Sequence, residues 1–142
     1  MLKRGCSFGF LKQLEMENNY YKNLTIWKSS IDLVERIYKF TSQFPSEEKF
    51  GLTAQIRRAS VSVPSNIAEG YCRQGQKETA HFISIAIGSL AEVETQLIIA
   101  NRLGYAESTE TEELVLKINS IQKQSISLRK RIQNDLTFPK SQ

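Results

Sequence analysis

The sequence contains little of what metal sites and nucleophilic active sites are built from. It has one histidine, His81, and two cysteines, Cys6 and Cys72, which stand far apart in the chain. A zinc site needs several cysteine, histidine or carboxylate ligands at close spacing, and the sequence offers no such set. His81 stands next to Phe82, which favours a place at the edge of a helical core over the role of general base.

Other catalytic patterns are missing as well. Glycine is sparse, and Gly70 and Gly75 fit neither a phosphate-binding loop nor a dinucleotide fingerprint. Glu92 and Glu94 are two residues apart, so on a helix they point to different sides and form no carboxylate pair. We therefore expect no enzyme activity and no cofactor.

Long charged or apolar runs are also lacking, and this bounds the class of protein. Hydrophobic residues make up 40% and charged residues 24% of 142 residues, which suits one globular domain. The start of the chain lacks a signal-peptide core, and no stretch approaches the ~20 apolar residues of a membrane span. We expect a cytoplasmic protein with an N-terminal extension at 1–19, a bundle at 20–136 and a tail at 137–142. Whether translation starts at Met1 or Met16 stays open.

The scarcity of helix breakers, three prolines and seven glycines, favours helices, and apolar spacing predicts four of them. In the first, residues three and four apart form one stripe, and Pro45 follows as a stop. The stripe predicted to face the core consists of Leu24, Trp27, Ile31, Val34, Tyr38 and Thr41.

The second segment runs from about Phe50 to Glu69 and contains Pro64. Its predicted inner face is Leu52, Ile56, Ala59, Val63 and Ile67. The alternation from Ser60 to Val63 resembles a strand, but a single short strand would have no partner. We therefore predict a helix kinked at the proline, with Gly70 as its stop.

The third segment, about Gln76 to Leu103, is apolar around more of its circumference than a surface helix requires. Its predicted inner face is Ile83, Ala86, Leu90, Val93, Leu97 and Ala100. Apolar residues also lie on the opposite side, and Gly88 leaves a notch for another backbone. Such a helix is central or shared between subunits, and the candidate oligomer interface is Ile85, Gly88, Ile99 and Leu103.

The fourth segment opens with Thr109 and Glu112, the spacing of a capping box. Its predicted stripe consists of Leu114, Ile118, Ile121, Ser125, Leu128 and Ile132. Short connections make neighbouring helices antiparallel, so the predicted fold is an all-α, up-down-up-down four-helix bundle.

Three stretches carry a resemblance to a known family. They are FGLTAQIRRASVSVPSNIAEGYCRQGQKE (50–78), FISIAIGSLAEVETQL (82–97) and Leu24 to Lys28. Over about residues 20–132 the chain resembles the bacterial four-helix bundle proteins of 23S ribosomal RNA intervening sequences. The resemblance implies a ring-shaped homopentamer. It also implies similarity to the accessory protein of diversity-generating retroelements, a basic pentamer that binds nucleic acid and a reverse transcriptase.

The net charge of +4 allows attraction to phosphates, and a ring would repeat each basic side chain in every subunit. The sequence thus favours a scaffold that binds DNA or RNA through phosphate contacts, with an adaptor for a reverse transcriptase or another polypeptide as the alternative. Few aromatics are interleaved with the charges, so stacking on single strands is not expected. The candidate contact residues are Arg57, Arg58, Arg73, Lys77, Lys123, Arg129, Lys130 and Arg131.

Arg57 and Arg58 have a structural interpretation beside the functional one. Adjacent helical residues differ by about 100° in direction, so the two arginines cannot serve the same purpose. One of them would pair with Glu69, Glu92 or Glu94, inside the bundle or across a subunit boundary. Phosphate contact is the alternative.

Overall fold

The computed structural model describes residues 20–137, which form four long α-helices and no strand. The all-α class and the number of helices were predicted from the sequence. The predicted extension at 1–19 lies outside the described residues, as does all of the predicted tail except Thr137. The helices are α1 (Thr25–Thr41), α2 (Leu52–Cys72), α3 (Gln76–Arg102) and α4 (Ser108–Thr137), with short 3-10 helices at Tyr20–Asn23 and Ser46–Glu48.

The helix ends follow from local chemistry. Gly104 adopts φ +78°, a conformation that glycine reaches without strain, and it stops α3 as predicted. There the N–H of Tyr105 donates to the carbonyl of Ala100 and that of Gly104 to Asn101, each over 3.0 Å. α4 begins at Ser108, one residue before the predicted cap Thr109, so Thr109 lies inside the first turn.

The second helix differs from its prediction at Gly70. α2 continues through Gly70 to Cys72, with Pro64 inside it. Gly70 is buried because α3 approaches closely: a Cβ placed there would lie 2.7 Å from Phe82 Cβ. The hydroxyl of Thr79 donates to the Gly70 carbonyl over 2.9 Å, which fixes this approach. Gly70 is thus a close-packing position and no helix stop.

The core contains the predicted inner faces of three helices. All six predicted positions of α3 are buried, as are Ile56, Ala59, Val63 and Ile67 of α2. In α4 the buried positions are Leu114, Ile118, Ile121 and Ser125, while Leu128 and Ile132 are half-buried. The 3.6-residue period is local information, so it identified these faces from the sequence alone.

The prediction for the face of α1 was right for Leu24, Trp27 and Thr41, which are buried or pack against the core, and wrong for its other three positions. The buried side chains are Ile26, Ser30, Leu33, Ile37, Phe40 and Thr41, whereas Trp27, Ile31 and Val34 are half-buried. Both sets follow spacings of three and four, and they differ by a rotation of about one residue, or 100°. α1 is apolar on two adjacent sides, so its own sequence does not determine which side faces the core.

Each helix packs against its neighbour in the chain, and α1 also packs against α4, so the four helices enclose one core. By length and composition α3 could cross a membrane, alone among the helices described. The core helix of a soluble bundle has the same composition, and the inner face of α3 is filled by contacts with α2 and α4. The packing thus accounts for the apolar residues on its inner face.

Candidate nucleic-acid interface

One end of the bundle is formed by the start of α1, the end of α2, the start of α3 and the second half of α4. The rings of Tyr20 and Tyr71 lie 6.0 Å apart there, which joins the segment before α1 to the end of α2. Leu24 and Leu128 line one groove, so the end of α4 adjoins the start of α1. Six of the eight predicted contact residues lie here, and we call them the basic end: Arg73, Lys77, Lys123, Arg129, Lys130 and Arg131.

Two members of the basic end are already engaged within the chain. Arg73 Nη2 forms an ion pair with Glu69 Oε1 at 2.8 Å, and its guanidinium lies 5.2 Å from the centroid of the Phe82 ring. The hydrogen bond to Glu69 raises the pKa of Arg73 further above its usual value. Arg129 is half-buried, and its Nη1 donates to Ser84 Oγ over 3.1 Å. These contacts favour structural roles for both arginines.

The other four cations are exposed to solvent. Lys77, Lys123, Lys130 and Arg131 have no ion-pair partner within residues 20–137. Unpaired exposed cations keep their charge available for an external anion. They are therefore the members of the basic end best placed to contact phosphate.

Lys123 and Arg131 line the same open groove between α4 and the start of α1, with a volume of about 420 Å³. Thr25, Gln124 and Ser127 add hydroxyl and amide groups to its walls, and Leu24, Ile26 and Leu128 close its floor. Two positive charges above polar donors can bind phosphate oxygens without reading bases.

Arg57 and Arg58 lie at the opposite end of the bundle, where α1 finishes and α2 begins. Arg57 is half-buried: its Nε donates to Thr41 Oγ1 over 2.9 Å and its Nη2 to the Tyr38 carbonyl over 3.3 Å. Its guanidinium also lies 4.5 Å from the centroid of the Tyr38 ring. Arg57 is therefore a cap for the C-terminal turn of α1, where a cation is favoured. Arg58 is exposed in the groove beside it.

The predicted ion pair of these arginines with a glutamate is wrong within the described chain. Neither arginine forms an ion pair inside residues 20–137, and Glu69 pairs with Arg73 instead. The partners of Arg57 come from the end of α1, which the spacing within α2 could not reveal.

The end that holds Arg57 also carries six of the eleven glutamates of residues 20–137. Gln43 Nε2 donates to Glu110 over 3.2 Å, and the Tyr105 hydroxyl donates to Glu48 over 3.2 Å, so both helix connections meet here. Arg36 pairs with Glu113 at 3.3 Å. We call this the acidic end, defined by Glu47, Glu48, Glu107, Glu110, Glu112 and Glu113. Lys39, Lys49, Arg57, Arg58 and Arg102 lie at this same end, so its charges nearly balance, and the excess of positive charge lies at the basic end.

The exposed apolar surface has two parts. Ile85, Gly88, Ile99 and Leu103, the predicted interface residues, all lie exposed on the outward side of α3, outside the core. A second apolar groove runs between α1 and α2, and the sequence prediction missed it because its α1 residues were assigned to the core. Its lining includes Trp27, Ile31, Val34, Val61, Pro64 and Ala68.

Side chains that could bind a metal are not clustered in the described part of the chain. Residues 20–137 contain no cluster of three or more histidine, cysteine or carboxylate residues that could hold a metal. His81 is exposed, with its ring edge-on to Phe82 at 5.6 Å. Glu92 accepts a hydrogen bond from Gln96 Nε2 over 3.3 Å.

Comparison with known proteins places this geometry in a family context. A family model described as 23S rRNA-intervening sequence protein matches residues 22–127. A crystal structure from Bacteroides thetaiotaomicron, described as a protein with unknown function from the S23 ribosomal protein family, is 26% identical in sequence. The alignment covers 75% of this chain and 99% of that one, with a TM-score of 0.68. No curated protein matches.

Proposed function

The chain belongs to the 23S rRNA-intervening sequence protein family, since the match takes in residues 22–127, and from its geometry we propose a non-enzymatic scaffold that binds nucleic acid. The contacts are made to phosphates by the basic end, chiefly through its exposed cations Lys77, Lys123, Lys130 and Arg131. This role is carried by one observation, the excess of positive charge at one end of the bundle.

This excess matters because the net charge is small. A charge of +4 spread evenly over the surface would attract phosphate weakly. Six cations gathered at one end produce a local positive field that the net charge of the whole chain does not reveal. Phosphate binding of this kind depends on salt and little on base sequence.

Self-association strengthens the same field. In the proposed assembly each subunit is an up-down-up-down bundle, and copies join into a ring-shaped homo-oligomer, a pentamer by family resemblance, in the cytoplasm. The exposed apolar surface supports this: Phe50 is 89% exposed and Leu116 is 70% exposed, in addition to the outward face of α3. A closed ring repeats the basic end once per subunit.

The test measures duplex RNA or DNA affinity by fluorescence anisotropy across a range of salt concentrations. The double variant Lys123→Gln/Arg131→Gln should bind more weakly, with a slope of log affinity against log salt shallower by about 1.8, since each duplex phosphate contact contributes about 0.9.

The matched control is Lys49→Gln/Arg58→Gln, which removes the same charge at the acidic end, where both residues line one groove. It should leave the salt slope unchanged. Equal losses in the two double variants would show that net charge alone matters and would refute a localised site. Binding by the unaltered protein that does not depend on salt would refute phosphate contact.

A protein adaptor, for a reverse transcriptase or another polypeptide, is the second candidate. The α1–α2 groove favours it, because an apolar groove between two helices accepts an amphipathic helix of a partner. Val61→Glu, in the wall of this groove, should abolish partner binding but leave nucleic-acid affinity unchanged. If the protein binds a polypeptide through this groove but no nucleic acid, the adaptor role replaces the scaffold role.

A further inference from the structure

The basic end also carries an aromatic side chain, Tyr20. The spacing of aromatic residues in the sequence did not predict it at this position. Tyr20 is 62% exposed, although a tyrosine at a packed position would be largely covered. It stands before α1 in the chain, but its ring packs against Tyr71 at the end of α2, with 6.0 Å between centroids and 44° between planes. One side of Tyr20 is supported and the rest faces solvent.

The support beneath Tyr20 consists of packed side chains. Tyr71 is half-buried and packs against the hydrophobic core. The 3-10 helix that carries Tyr20 is closed by a hydrogen bond from the N–H of Leu24, the residue just before α1, to the carbonyl of Tyr21, over 3.0 Å. The Tyr21 ring in turn contacts Trp27 edge-on at 5.5 Å. A supported ring loses little freedom when a flat ligand stacks on it.

Cations lie at the same end of the bundle as this pair of rings. Burial and the neighbouring Tyr20 raise the pKa of the Tyr71 phenol, and the charge of Arg131 acts in the opposite direction. Arg131 also lines the groove that contains Lys123, and Lys22 is exposed on the 3-10 helix itself. An exposed aromatic ring beside a cationic groove is the arrangement with which proteins bind single strands, stacking bases and contacting phosphates.

We infer that Tyr20 is a base-stacking platform and that the preferred ligand of the basic end is therefore single-stranded nucleic acid. The inference rests on the proposed function, because the cations must hold the phosphates. It adds a preference that phosphate contacts alone do not produce, since paired bases inside a duplex have no free face to stack on Tyr20.

The experiment compares a labelled single-stranded oligonucleotide with a duplex of the same length, using anisotropy and the full chain. Tyr20→Leu should weaken single-strand binding about 5- to 150-fold, the range for one base–aromatic stack. Its salt slope should not change, because no phosphate contact is lost. Tyr20→Phe keeps the ring and should restore the affinity.

Phe50→Leu is the matched control, since Phe50 is also an exposed aromatic beside a cation, with Lys49 Nζ 5.5 Å from its ring centroid, but at the other end. It should not change single-strand affinity. Equal affinity of Tyr20→Leu and the unaltered protein for the single strand overturns the inference. If the affinity for the single strand still falls in Lys123→Gln/Arg131→Gln, the proposed function stands without the stacking inference. If neither variant changes binding, or nothing binds, both are overturned.

Discussion

Arg57 Nε donates a hydrogen bond to Thr41 Oγ1 over 2.9 Å, and this contact joins α2 to the last turn of α1. Thr41 is buried, and its hydroxyl in turn donates to the Ile37 carbonyl over 2.8 Å. The arginine therefore completes a small network at a helix end. Its neighbour Arg58 has no ion-pair partner within the described residues, although the two are adjacent in the sequence.

This difference predicts unequal effects on stability. Arg57→Gln should lower the free energy of unfolding by about 1–3 kcal/mol, because a charged hydrogen bond and a stacking contact with Tyr38 are lost. Arg58→Gln should change it by less than about 0.5 kcal/mol, as is usual for exposed positions. Denaturant titration of both variants measures the difference. Equal effects would contradict the capping role of Arg57.

Two glycines on packed helices should respond oppositely to alanine. At Gly70 the added Cβ meets Phe82 Cβ at 2.7 Å and the Thr79 carbonyl oxygen at 3.2 Å. Overpacking of this kind costs about 1–3 kcal/mol, more than the ~1 kcal/mol gained in helix propensity. At Gly88 nothing lies within 4 Å, so alanine should stabilise the isolated subunit by about 0.5–1 kcal/mol. Thermal or chemical unfolding of the two variants decides the signs.

Assembly should depend on the outward face of α3. Leu103 is 55% exposed at the end of that helix and Leu136 is 48% exposed in the last turn of α4. Leu103→Asp should lower the mass measured by light scattering, because a charge at an apolar interface is desolvated without a partner. Leu136→Asp makes the same change elsewhere and should leave the mass unaltered. A monomeric unaltered protein would rule out the interface altogether.

Tyr105 makes folding sensitive to alkaline pH. Burial and its hydrogen bond to Glu48 raise the pKa of its phenol. The unfolded value is about 10, so the stabilisation is complete below that pH and is lost as pH rises towards the folded pKa. Stability should therefore fall with pH above about 10, and less steeply in Tyr105→Phe. Denaturation midpoints measured on both sides of that pH test this, and an unchanged slope in the variant would contradict it.

Much of the fold could be predicted because its signals are local. The four helices and the stop at Gly104 follow from period and breaker positions, which act over a few residues. The inner face of α3 was recognised for the same reason. Where two adjacent faces of one helix were both apolar, as in α1, the local signal was ambiguous and the prediction for Ile31, Val34 and Tyr38 was wrong.

The candidate site was predictable only as a set of residue types. The sequence identified eight basic residues but could not assign them to the two ends of the bundle, because that assignment depends on which helix ends meet. Packing placed Arg73, Lys77 and the α4 cations at one end and Arg57 with Arg58 at the other. It also brought Tyr20 to Tyr71, which are 51 positions apart in the printed sequence.

The amino-acid sequence by itself determined the helical class, the number of helices and most of the core, because helix period, turn residues and breakers act between near neighbours. Only the tertiary structure decided the rotation of α1, the close approach at Gly70 and the gathering of six cations at one end. Each of these depends on distances between helices. Such distances are set by packing across the bundle, and the spacing of residues within a single helix does not determine that packing.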